Sequence, residues 1–136
     1  MILDVLSRPS GFRRTGEYIS EWLDVQRPTQ IYARGDGLVY VSELQWMPGQ
    51  ESFRTGTSNQ RRPARISVYD ENGKLQSRLE ELNGDPCCSG SVGAPHSLAV
   101  DSEGAIYVGE VTYTFLVSRG HAPEGCHMFQ KFARVR

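Results

Sequence analysis

Few residues in this chain have both the type and the spacing for chemistry. His96 opens the segment Ala94-Pro95-His96-Ser97, and Glu110 ends the run Ile106-Tyr107-Val108-Gly109-Glu110. If the stretch between them folds back on itself, imidazole and carboxylate meet at one end of a hairpin. Thr29, Ser42 and Glu43 form a similar grouping earlier in the chain. A catalytic zinc takes about three protein ligands and keeps one position open for water or substrate. His96 supplies one ligand, Glu110 supplies or orients a second, and the rest must come from elsewhere. Paired carboxylates such as Glu43 and Glu110 can also bind calcium or act as acid and base. The simpler expectation is that both are channel or surface charges satisfied by neighbours, and that His96 hydrogen-bonds the adjoining strands.

The other candidates are weaker. His121 lies in the loop-like Ser-Arg-Gly-His-Ala-Pro, His127 opens an alternating segment, and both are expected to be exposed. Cys87, Cys88 and Cys126 are an odd number, and adjacent cysteines rarely bond each other. One of the pair could join Cys126, but the count gives neither a disulfide framework nor a two-knuckle zinc site, so reduced thiols are expected. Trp22 and Trp46 are expected to pack rather than bind. The net charge of −1 with 23% charged residues gives no basic surface for nucleic acid. Arg61, Arg62 and Arg65 around Pro63 are expected in a solvated loop. No apolar run approaches the ~20 residues of a membrane span. No signal-peptide pattern is visible, which makes the cytoplasm the default unless the N-terminus is truncated.

The elements that position these residues form a repeat. RPTQIYARGDGLVYVSELQW, from Arg27, aligns without gaps under APHSLAVDSEGAIYVGEVTY, from Ala94, at a spacing of 67. Pro28 falls on Pro95, Gly37 on Gly104, Tyr40-Val41 on Tyr107-Val108 and Glu43 on Glu110. Each copy reads as a β-hairpin: Gln30–Ala33, a turn at 34–37 and Leu38–Val41, then Ser97–Val100, a turn at 101–104 and Ala105–Val108. Pairing Val100 with Ala105 would set His96 opposite Gly109. The returning strands are nearly continuous apolar runs, which predicts a sheet covered on both faces. Arg65–Tyr69 alternates as a third strand, and Lys74–Leu79 follows as a charged outer strand. Phe12–Ile19 echoes that outer pair 57 positions earlier, with Gly16 on Gly73, and His127–Ala133 reads as another third strand. Four-stranded antiparallel units in series predict an all-β partial β-propeller of about two to three blades. Residues 1–24 give the outer strands of a first blade, 25–82 a second and 93–136 a third. A sandwich of irregular hairpins is the structural rival, but would not predict an in-phase repeat.

GAPHSLAVDSEGAIYVGEV and RISVYDENGKLQ resemble NHL repeats. From about Phe12 the chain is similar to the C-terminal part of bacterial six-bladed NHL propellers related to peptidyl-α-hydroxyglycine α-amidating lyase. In that lyase, the resemblance implies, zinc is held by three histidines, each after a proline at the start of its hairpin. Only Pro95-His96 matches here. Thr29 follows Pro28 in the other hairpin, and Ala94 stands where the lyase has methionine. A tyrosine and an arginine are implied near the channel mouth, for which Tyr113 and Arg119 are the candidates.

Two functional classes follow. One is a non-catalytic NHL module that binds a small molecule, peptide or protein at the channel mouth, with Thr29, Glu43, His96 and Glu110 lining it. The other is a metal-dependent lyase or hydrolase with zinc, less readily calcium, on His96 and on blades absent from this chain. Two and a quarter blades leave a ring open, which predicts self-association or missing blades. Counted in strands, two chains fall short of the ~24 of a six-bladed ring.

Overall fold

The computed structural model describes residues 2–3, 9–12, 14–52 and 56–135. In chain order, β1 (Ile2–Leu3), β2 (Pro9–Phe12) and β3 (Tyr18–Glu21) form a first three-stranded sheet. β4 (Pro28–Ala33) and β5 (Leu38–Glu43) are followed by a short ribbon of β6 (Glu51–Ser52) and β7 (Gly56–Thr57), then by β8 (Arg65–Asp70) and β9 (Leu75–Glu80). The second sheet runs β4-β5-β8-β9. β10 (Pro95–Val100) and β11 (Ile106–Glu110) precede a helical turn, α1 (Thr112–Phe115), and a 3-10 turn, Val117–Arg119. β12 (Phe129–Phe132) completes a third sheet, ordered β10-β11-β12. Every pairing is antiparallel, so the fold is all-β. The expected outer pair near the N-terminus is β2 and β3, joined by β1. Arg13 of that echo lies outside the described residues. No helix among the described residues is long and apolar enough to cross a membrane.

The 67-residue spacing is structural. Gly37 and Gly104 both turn their hairpins at φ +84°, in the left-handed region that costs glycine nothing. The register differs by one from the expected one: Val100 pairs with Ile106 and Ser97 with Gly109, while Ala105 belongs to the turn, its N–H bound to Asp101 Oδ1. The register then slips, so that Pro95 faces Glu110 and His96 is the extra, unpaired residue of a bulge. Pro28 and Gln30 flank the same slip around Thr29. Both candidate residues therefore sit on bulges at the same end of their sheets.

β5 is buried along both faces, as its apolar run predicts. Val39 and Val41 pack with Tyr69 and Ile31 and with Trp22 and Val25 of the segment after β3. Tyr40 points the other way, packing with Ile66 and Val68 against Leu98, Val100, Ile106 and Val108 of the third sheet. The inner strands add a polar seam. Thr29 Oγ1 donates to Pro95 O (3.0 Å), Leu98 N to Gln30 Oε1 (2.7 Å), Tyr32 OH to Val100 O (3.4 Å) and Arg34 Nη2 to Ser102 O (2.7 Å).

The expectation of reduced thiols is corrected for two of the three cysteines. Cys87 and Cys126 form a disulfide with a Cα–Cα distance of 5.0 Å, and Cys88 is the free thiol. The bond ties the connection between the second and third sheets to the loop that leads into β12. The cysteines are far apart in sequence, and only the return of the chain from β11 to β12 brings them together.

Candidate functional site

Both carboxylates expected to face a channel are instead buried inside the chain. Glu43 ends β5 and is 0% exposed. Its Oε2 accepts from the Gln26 backbone N–H (2.6 Å) and from Arg65 Nε (3.0 Å), and its Oε1 accepts from Ser67 Oγ. Burial outweighs these contacts and raises the carboxyl above the ordinary range, while Arg65, the Gln26 N–H and Ser67 pull it down. The arrangement clamps the segment before β4 to the end of β5.

Glu110 does the same one repeat later. Its Oε2 accepts from the N–H groups of Gly93 (2.8 Å) and Ala94 (2.9 Å), and its Oε1 accepts from Gln130 Nε2 (2.8 Å). Gln130 thus takes the part of Ser67, one strand over. The neighbour differs: where Glu43 has the Arg65 guanidinium, Glu110 has the His127 ring, whose Nε2 lies 3.2 Å from Oε1. His127, expected to be exposed, is half-buried in this cluster, whereas His121 is exposed as expected. Both glutamates serve the hairpins, and neither offers a free carboxylate to a ligand.

His96 is exposed on its bulge. Among the described residues no group of three His, Cys, Asp or Glu side chains could hold one metal ion. Thr29 is half-buried, with its hydroxyl spent on Ser42 and on Pro95 O. Tyr113 of α1 is 62% exposed, and Arg119 lays its guanidinium 5.0 Å from the Phe115 ring centroid. Trp46 packs as expected, at 9% exposure. Of the three arginines around Pro63, Arg61 pairs with Glu81 and Arg65 with Glu43, while Arg62 is exposed.

A different grouping emerges where the long connections after β5 and after β11 meet. Arg27 stands immediately before β4, in the position that Ala94 holds in the other repeat. It has φ +34°, a conformation that costs a residue with a Cβ about 1–3 kcal/mol. Its guanidinium donates to Gln45 O (2.6 Å) and Gln50 Oε1 (3.0 Å) and lies 5.4 Å from the Trp46 ring centroid. Burial, and after it the charge of Arg119, lowers its pKa. Leu44, which bonds Arg27 through the backbone, packs against Phe115 and Leu116, so the arginine-bearing turn of the third sheet abuts this strand end. Neither Arg27 nor Arg119 has a carboxylate partner among the described residues. A cavity of about 230 Å³ opens near Gln45 and Leu116, lined also by Met47, His121 and the Arg61–Glu81 ion pair, but by neither Arg27 nor Arg119. Gln45 is 2% exposed and its Oε1 has no hydrogen-bond partner.

The sequence signal for Arg27 was present, as one of the positions where the two repeats differ. Nothing in the sequence signalled that the segment leading to Arg119 would pack, through Phe115 and Leu116, against Leu44. No family model, curated protein or solved structure matches this chain.

Proposed function

We propose that the chain is part of an NHL-type β-propeller that acts as a binding module, with its ligand end where the connections after β5 and β11 converge. The observation that carries this reading is Arg27, a half-buried cation over the Trp46 ring with no carboxylate partner among the described residues. Burying a cation without a counter-charge costs free energy, and the strained backbone at Arg27 adds to that cost. An arrangement that is costly when empty and relieved by an anion is what an anion-binding site presents. Arg27 over the Trp46 ring, and the exposed Arg119 over the Phe115 ring, favour a carboxylate or phosphate as the ligand group.

Calorimetric titration of the purified chain with citrate and with inorganic phosphate tests the reading. Saturable binding that weakens with salt and is lost in Arg119→Met, an exposed position, is the expected outcome. No saturable heat with either anion would sink it. The lyase alternative is addressed by elemental analysis of the chain and of His96→Ala: stoichiometric zinc lost in the variant would favour it.

A further inference from the structure

Glu81 follows directly on β9, and its side chain is only 4% exposed. A carboxylate this far out of water is normally held by several donors. Among the described residues Glu81 has one, Arg61, whose Nη2 donates to its Oε2 (2.5 Å). The guanidinium comes from outside: the Arg61 side chain is 43% exposed and reaches in from the segment after β7. Backbone contacts fix both ends of the pair. Arg62, next to Arg61, exchanges two hydrogen bonds with Trp46 at 2.9 Å each, and Leu82, next to Glu81, donates its N–H to Ser91 Oγ (3.0 Å).

The pair lies on the wall of the cavity of about 230 Å³ that Gln45 and Leu116 also line. That volume is many times what one water needs, so a solute of several heavy atoms fits. The wall is closely built. A Cβ on Gly93 would stand 3.0 Å from both Leu116 Cδ1 and Pro86 O, and Cys87, the residue after Pro86, is bonded to Cys126. Ties of this kind hold a site in shape before a ligand arrives and lower the cost of binding. The polar groups of the wall divide by depth. Arg61 and His121, which can donate, are exposed. The buried groups are acceptors: the Glu81 carboxylate, and Gln45, 2% exposed, whose Oε1 has no partner among the described residues.

We propose that this cavity binds a small primary amine or guanidine, whose cationic head replaces the Arg61 guanidinium on Glu81 and donates to Gln45. A carboxylate only accepts, so the group that meets Glu81 in the cavity has to bring N–H or O–H donors, and a positive charge strengthens each bond it makes. Arg61 is then the resident occupant, a guanidinium of the chain's own that keeps the buried carboxylate paired until a ligand displaces it. The inference stands apart from the anion site, since neither Arg27 nor Arg119 lines the cavity.

Calorimetric titration of the full chain with n-propylammonium and with methylguanidinium chloride, at constant ionic strength, is the test. Saturable binding of one or both is expected, and its loss in Glu81→Gln. Arg61→Met removes the internal competitor and is expected to tighten binding about fivefold, the upper end of what a partly exposed ion pair is worth. Tetramethylammonium, with the same charge and no N–H, is expected not to bind. Absence of saturable binding overturns the proposal. So does an Arg61→Met chain that binds no more tightly than the wild type, or tetramethylammonium binding as well as the amine. Arg119→Met keeps the two sites distinguishable: it is expected to retain amine binding while losing citrate. Loss of the amine together with citrate would assign the amine to the anion site and overturn this proposal without touching that one.

Discussion

The second and third sheets are built from the same hairpin and clamped by the same glutamate, yet they meet different surroundings. In the second sheet β5 is buried on both faces, and the clamp balances Glu43 with Arg65, a permanent cation. In the third sheet β11 alternates between buried and half-buried, and Glu110 is set against His127. Burial is therefore a property of a strand's neighbours as much as of its own residues. A repeat copies the clamp and the turn, while each copy meets a different side chain beside its glutamate, Arg65 at the start of β8 in one and His127 before β12 in the other.

The largest test of this contrast is a pair of truncations measured by urea unfolding, at a concentration where the chain is monomeric. Tyr40→Ala removes a ring enclosed between two sheets and is expected to cost about 4 kcal/mol, whereas Tyr107→Ala, at its half-open counterpart, is expected to cost about 1 kcal/mol. Equal losses would mean that the third sheet's free face is covered in solution even in the monomer.

The Cys87–Cys126 bond exists only in the third sheet's surroundings. Cys126→Ser is expected to lower stability by about 2–4 kcal/mol, and thiol titration of the unfolded, unreduced wild type should find one free thiol per chain, Cys88. Three reactive thiols would break this part of the comparison. Next comes the clamp itself. Glu43→Ala leaves the Gln26 N–H and Arg65 without their buried acceptor and is expected to cost about 3 kcal/mol. Glu110→Ala strands two backbone N–H groups but faces a half-buried histidine, and is expected to cost less by about 1 kcal/mol.

The smallest effect is a pH slope. Because burial raises the Glu43 pKa in the folded chain, the folded state holds this proton more tightly than the unfolded state. Its contribution to stability is present below the unfolded carboxylate pKa and is lost as pH rises through the folded value. Relative to Glu43→Gln, the wild type should therefore lose stability as pH rises from about 4. The opposite slope would show that Arg65 and Ser67, not burial, dominate the site.

Much of this contrast was legible in the residues. Tyr40-Val41 under Tyr107-Val108 predicted paired strands, and Gly37 under Gly104 predicted their turns, since period and turn chemistry are local. The register was read one residue off, because Ala105 reads as strand by composition but its N–H is captured by Asp101 in the turn. Glu43 and Glu110 were singled out correctly as a pair sharing a phase. Their burial was not visible, because the backbone donors that hold them come from segments before the hairpin. Neither was the role of His127, which meets Glu110 only because β12 lies against β11.

What the sequence determined by itself is the repeat: hairpins with glycine at their tips, a proline and a bulged residue at their starts, and a glutamate at their ends. These follow from backbone preferences and from alternation over a few residues, and they need no distant partner. The tertiary structure decided everything that depends on which segments become neighbours. It chose Cys126 for Cys87, packed Phe115 and Leu116 against Leu44, turned two supposed channel carboxylates into internal clamps, and left Phe129 of the third sheet exposed. Such contacts are settled by how sheets stack and where long connections return, and nothing local in the chain encodes those distances.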